Sequence, residues 1–123
     1  MKDATQRTQE VAMETRELER RVDDRKPLDI YLNKFVGDHP FMVRAADISP
    51  TGIYLHKLIE PDLPEGSMVS LEFQLPNSDE VLWARGTVMR EARRWGTDGV
   101  GVWFTILPQA FRRIIEGFVA QAA

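Results

Sequence analysis

Two clusters hold the residue types that could do chemistry. Arg20-Arg21-Val22-Asp23-Asp24-Arg25 places three guanidiniums within six residues. A guanidinium is planar, permanently charged and carries a fork of donors that fits a phosphate or the O6/N7 edge of a guanine. Further on, Asp47-Ile48-Ser49-Pro50-Thr51-Gly52 offers a carboxylate, a hydroxyl and a glycine within one short stretch. Each cluster also has a plain structural reading. Arginine runs are commonly solvated surface, and Asp-x-Ser-x-x-Gly is ordinary turn chemistry in which side chains cap backbone amides and glycine takes positive φ.

Little else could carry a reaction. His39 lies beside Pro40 and His56 stands 17 residues later, neither with a carboxylate at metal-binding or catalytic spacing. No glycine-rich phosphate loop, serine elbow or paired-carboxylate arrangement is present. The chain has no cysteine, which removes disulfides, thiolate catalysis and cysteine-ligated zinc, and makes a reducing cytoplasm the expected compartment. The expectation is a binding protein, not an enzyme, with no metal or resident cofactor. The formal net charge of -3 argues against a general nucleic-acid binder, which needs a basic field to displace counterions. Twelve of the 16 basic residues are nevertheless arginine, ten of them grouped at 16–25, 85–94 and 112–113.

The elements that must position these residues are mostly strands. The length of 123 residues predicts one compact domain with a short tail. Residues 1–19 are polar and charged, with too few apolar positions to bury a face, and read as an arm or frayed helix. No apolar run is long enough for a spanning helix or a signal peptide, so the protein is expected to be soluble and not inserted in a membrane. From Leu28 onward, short alternating stretches separated by turn residues predict six antiparallel strands. The first holds Ile30, Leu32 and Phe35 and is closed by a Gly37-Asp38-His39-Pro40 turn. Phe41 to Ile48, Ile53 to His56, Val69 to Leu75, Val81 to Met89 and Gly99 to Ile106 follow. A loop from Glu60 to Gly66 and another from Ala92 to Asp98 separate them. Six short strands close into a small barrel because closure removes the exposed edges. After Pro108 the period becomes helical, with Phe111, Ile114, Ile115, Phe118, Val119 and Ala122 on one stripe that should plug or flank the barrel. Trp83, Trp95 and Trp103 read as core or barrel-wall residues rather than stacking platforms, with Trp95, in the Arg93-Arg94-Trp95-Gly96 loop, the strongest candidate for a platform.

Taken together, in this order and with 21 residues between Arg25 and Asp47, the two clusters resemble those of the PilZ domain family of bacterial cyclic di-GMP receptors. The family pattern is Arg-x-x-x-Arg in an N-terminal loop followed by Asp/Asn-x-Ser-x-x-Gly on a six-stranded barrel that ends in a helix. Arg21 and Arg25 meet the first half, and Asp47, Ser49 and Gly52 the second. The resemblance runs from about Glu19 to Val119 and includes the Gly99-Val100-Gly101-Val102-Trp103-Phe104 stretch. It implies a mainly β fold, a PilZ-type antiparallel barrel over 20–123 with a C-terminal α-helix, preceded by the arm or helix of 1–19.

For the site, the resemblance implies that Arg21 and Arg25 pair with phosphate, bond a guanine edge or stack on a purine. Asp47 would accept protons from guanine N1–H and N2–H, Ser49 would bond base or phosphate, and Gly52 would let a base approach the backbone. Arg20 resembles the basic residue that holds an intercalated dimer of the nucleotide, which implies two ligand molecules per domain. Arg90 stands roughly where some relatives supply an additional stacking or basic contact, with solvated surface as its preferred reading. Asp23 and Asp24 are a departure. They can pair with the arginines or repel phosphate, at about 0.2–1 kcal/mol per exposed pair, which weakens binding without abolishing it. The implied partners are cyclic di-GMP and an effector protein not named by the sequence. A PilZ-like protein-interaction module that does not bind nucleotide is the alternative, and homodimerisation through the arm or last helix stays open.

Overall fold

The computed structural model describes residues 25–56, 63–76, 78–89 and 99–121. The expected arm of residues 1–19 lies outside them, as do Arg20, Arg21, Asp23, Asp24, Arg90, Trp95 and Ala122. Six strands form: β1 (Lys26–Val36), β2 (His39–Ser49), β3 (Gly52–His56), β4 (Met68–Gln74), β5 (Val81–Met89) and β6 (Gly99–Ile106). A helix, α1 (Gln109–Ala120), follows. The strands pair antiparallel in the order β1-β2-β3-β6-β5-β4, and β4 pairs back onto β1 to close the barrel.

Alternation sorts the walls. In β4 and β5, Val69, Leu71, Phe73, Leu82, Ala84 and Val88 face the core, while Glu72, Gln74, Trp83 and Arg85 face outward. The predicted limits of β5 and β6 coincide with those observed. The first hairpin differs from expectation. β1 begins at Lys26, and only Gly37 and Asp38 make the turn, with His39 and Pro40 already paired to Val36 and Phe35. Gly37 supplies the positive φ of 60° that a two-residue hairpin demands.

Two irregularities shape the end of the barrel that carries Asp47. The β1–β2 register shifts between Pro27 and Ile30, and the β2–β3 register shifts between Ala45 and Asp47. Val43 and Ala45 belong to the core, and so does Ile48, so the extra residue Ala46 switches which parity of β2 faces inward. Without that bulge Asp47 would point into the apolar interior. With it, Asp47 and Ser49 face the outer wall.

Helix α1 closes one end of the barrel, as its stripe predicted. Ile115 and Val119 are buried, and Phe111, Ile114 and Phe118 pack against the core. Each buried aliphatic side chain stabilises this seal by roughly 1.5–3 kcal/mol. The helix has no basic residue in its own last turn, and β1 provides one. Lys26 Nζ donates to the Phe118 carbonyl at 3.1 Å and lies 4.1 Å from the centroid of the Phe118 ring. A cation at this helix end meets the free carbonyls and the negative end of the dipole.

Candidate functional site

The bulge and the start of β1 bring the two sequence clusters into contact. Pro27 pairs with Asp47, which leaves Arg25 beside the outward face of β2. Its Nη1 donates to Asp47 Oδ1 at 2.9 Å. The two residues are 22 apart in sequence, and the carboxylate is nearly sealed from water at 3% side-chain exposure against 23% for the arginine.

The turn after Asp47 is braced from three directions. Ser49 is fully buried; its Oγ accepts from the Thr51 amide at 3.2 Å and lies 3.0 Å from Thr51 Oγ1. This is the local side-chain turn that the residue types suggested, although Gly52 does not take the positive φ expected of such a turn. From β6, the Phe104 amide donates to the Thr51 carbonyl at 2.9 Å. From α1, Arg112 Nη1 donates to the Pro50 carbonyl at 3.0 Å. Gly52 has a packing reason to be glycine, because a Cβ there would stand 2.6 Å from the Val102 carbonyl oxygen.

Two cross-strand rows run outward from these residues. Asp47 pairs with Tyr54, Tyr54 with Gly101 and Gly101 with Met89. Ser49 pairs with Gly52, Gly52 with Trp103, Trp103 with Thr87 and Thr87 with Met68. Tyr54 is buried, and its ring lies against Gly99. On the other side of Asp47, the bulge residues open onto a concavity of about 320 Å³ lined in part by Pro27, Asp29, Arg44, Ala46 and His56. Across it, Arg44 Nε donates to Asp29 Oδ1 at 2.7 Å. That hydrogen bond, reinforced by the arginine charge, holds the Asp29 carboxyl below the usual aspartate range and raises Arg44 in turn.

Among the expected site residues, Arg25, Asp47, Ser49 and Gly52 therefore gather at one end of the barrel wall. Arg20, Arg21 and Arg90 lie outside the described residues, although Arg90 follows Met89 directly at the end of the first row. Sequence reasoning missed Arg112 and Lys26. Their contacts span 62 and 92 residues, and no local pattern signals them. Among the described residues, no group of three His, Cys, Asp or Glu gathers in a metal-binding arrangement.

The profile of the PilZ domain matches residues 19–121 of this chain. The chain belongs to the PilZ domain family. That match takes in both motif halves and the six strands and helix just described. Among solved structures, this PilZ fold is similar to that of the Inhibitor of motility (MotI/DgrA) of Bacillus subtilis, with a TM-score of 0.69 and 11% identity. The likeness covers 79% of this chain and 48% of the Bacillus chain, about half its length, and at that identity it concerns the fold alone. No curated protein matches the sequence.

Proposed function

We propose that this PilZ chain is a non-catalytic bacterial receptor for cyclic di-GMP that alters its surface on binding and so regulates a partner protein. One observation carries the reading: the 2.9 Å bond between Arg25 and Asp47, which unites the arginine motif with the Asp-x-Ser-x-x-Gly motif at one place. A ligand with two phosphates and two guanines needs guanidiniums and a carboxylate side by side, since the first serve phosphate and the O6/N7 edge and the second serves N1–H and N2–H.

The geometry adds a step to the mechanism. Asp47 is covered, so a guanine reaches its carboxylate when Arg25 swings aside, and the released guanidinium then has its donors free for phosphate or base. Arg21 shares this work, Arg20 holds the second nucleotide of an intercalated dimer, and Arg90 adds a contact from the end of β5. Ser49 and Gly52 hold the turn and present its backbone to the ligand. Among the described residues no helix is long and apolar enough to cross a membrane. The reading places the receptor in the cytoplasm.

Calorimetric titration with cyclic di-GMP, beside GTP and an Arg21→Ala/Arg25→Ala double variant, tests the proposal. Selective binding near two molecules per domain, lost in the variant, is expected. A ratio near one removes the role given to Arg20. Absence of binding at high micromolar ligand overturns the receptor reading in favour of a protein-interaction module.

A further inference from the structure

We infer that the seam between β1 and β4 is a docking groove for a partner protein, and that its occupant is a basic segment carrying apolar side chains. The inference states the chemistry of the partner that the receptor reading invokes and in that respect rests on it, although its test uses no nucleotide. The barrel closes along this seam by three residue pairs, Asn33↔Glu72, Lys34↔Leu71 and Phe35↔Ser70, against seven between β4 and β5. The ladder would next set Tyr31 against Gln74, but pairing stops at Asn33↔Glu72 and the strands part. Two concavities occupy the gap. One, of about 210 Å³, is lined in part by Tyr31, Met42, Glu72, Gln74 and Val81. The other, of about 770 Å³, is lined in part by Tyr31, Gln74, Leu75, Ser78 and Asp79. Because Tyr31 and Gln74 border both, the two form one groove that runs from Glu72 to the β4–β5 turn.

Its banks are apolar, and an acidic line runs between them. Tyr31 and Met42 are 63% and 67% exposed on one side, and Val81 and Trp83 are 52% and 49% exposed on the other. Glu72 lies between them, in one cross-strand row with Asn33 and Trp83, and Asp79 stands at the turn. Both acidic residues are exposed, and among the described residues neither carboxylate enters an ion pair. Of the basic residues on this wall, Arg44 is already held by Asp29, and Arg85 lies a row further along, opposite Ser70. Four large apolar side chains left in water around two carboxylates fit a segment that buries apolar anchors and brings lysine or arginine to Glu72 and Asp79. Charge rejects the two occupants nearer to hand. Residues 1–24 hold seven acidic residues against five basic, the sign of the groove itself. A second copy docked groove to groove sets Glu72 and Asp79 against their own counterparts.

The test is amide NMR of the full chain, titrated with a short peptide of alternating lysine and leucine and with the same peptide carrying glutamate for lysine. The lysine peptide should shift the amides of Tyr31, Met42, Glu72 and Val81 saturably, and the glutamate peptide should not. Glu72→Lys/Asp79→Lys should weaken the lysine peptide about tenfold or more, and Tyr31→Ser/Met42→Ser should do the same. Asp38→Lys/Glu65→Lys, which makes an equal change of charge in the β1–β2 turn and the loop before β4, should retain the binding. All six side chains are exposed, so these variants should melt like the wild type. No saturable shift, shifts confined to other residues, equal binding of the glutamate peptide or an equal loss in Asp38→Lys/Glu65→Lys overturns the groove. A dimer in sedimentation that Tyr31→Ser/Met42→Ser dissolves gives the groove to a second copy. Shifts at Tyr31 and Val81 caused by Val11→Ser/Leu18→Ser without peptide give it to residues 1–24, and either result overturns the basic partner. None of these outcomes touches cyclic di-GMP binding, which stands or falls on the calorimetric titration.

Discussion

Arg25 and Asp47 share one bond but not one environment, and the difference decides what each substitution costs. The arginine keeps contact with water, and the carboxylate scarcely does. Arg25→Ala takes a charged donor from a nearly sealed carboxylate, and the loss of a hydrogen bond between charged groups costs about 1.5–3 kcal/mol. Asp47→Asn returns the guanidinium to water and keeps an oxygen that can accept, so it costs less. Urea unfolding of the two variants measures this, and an asparagine variant as unstable as the alanine variant would contradict the asymmetry. The Arg44–Asp29 pair is the counterexample at the same scale. Its bond is shorter, at 2.7 Å, yet both ends lie in solvent and contribute little to stability. Because the Asp29 carboxyl is lowered in the folded protein, what it contributes is present above the ordinary aspartate value and is lost only as pH falls through its lowered one.

Among the elements, legibility followed regularity of pairing. β4 and β5 pair residue for residue from Met68↔Thr87 to Gln74↔Val81, so period-two alternation was readable along their whole length. The beginning of β1 was not, because a register shift between Pro27 and Ile30 interrupts its pairing with β2. The bulge at Ala46 hid which face of β2 is the core, and with it the reason Asp47 can reach Arg25. Arg25, Asp47, Ser49 and Gly52 were legible because motif spacing marks them, whereas Arg112 depends on how a helix docks 62 residues away. That docking has a consequence for the β2–β3 turn. The Pro50 carbonyl takes its bond from Arg112, so Arg112→Ala should loosen the turn at a cost of about 1 kcal/mol. Amide exchange at Thr51 and Phe104, whose N–H groups bond Ser49 Oγ and the Thr51 carbonyl, should quicken. Unchanged exchange at both would show that α1 does not brace the turn.

For the molecule as a whole, the receptor reading makes the entry to β1 the place where a ligand would act on the helix. Successive residues send their side chains to opposite sides: Arg25 goes to Asp47 on the outer wall, and Lys26 to Phe118 at the end of α1. A ligand that takes Arg25 from Asp47 therefore acts on the backbone that also anchors Lys26. It can shift the helix only by its difference in affinity for the two arrangements, and the exchange of partners at Arg25 is the source of that difference. Phe118 accepts from both Lys26 and the Gln121 amide, so the last turn of α1 is the part most exposed to such a shift. On saturation with cyclic di-GMP, hydrogen exchange should slow across residues 1–27 and change in 116–121. Lys26→Ala should keep the first response and lose the second, because its side chain is the link between strand and helix. Exchange that changes in neither segment would remove the conformational output altogether. A helix that responds equally without Lys26 would mean that the signal reaches α1 by the other route, through Arg112 and the β2–β3 turn.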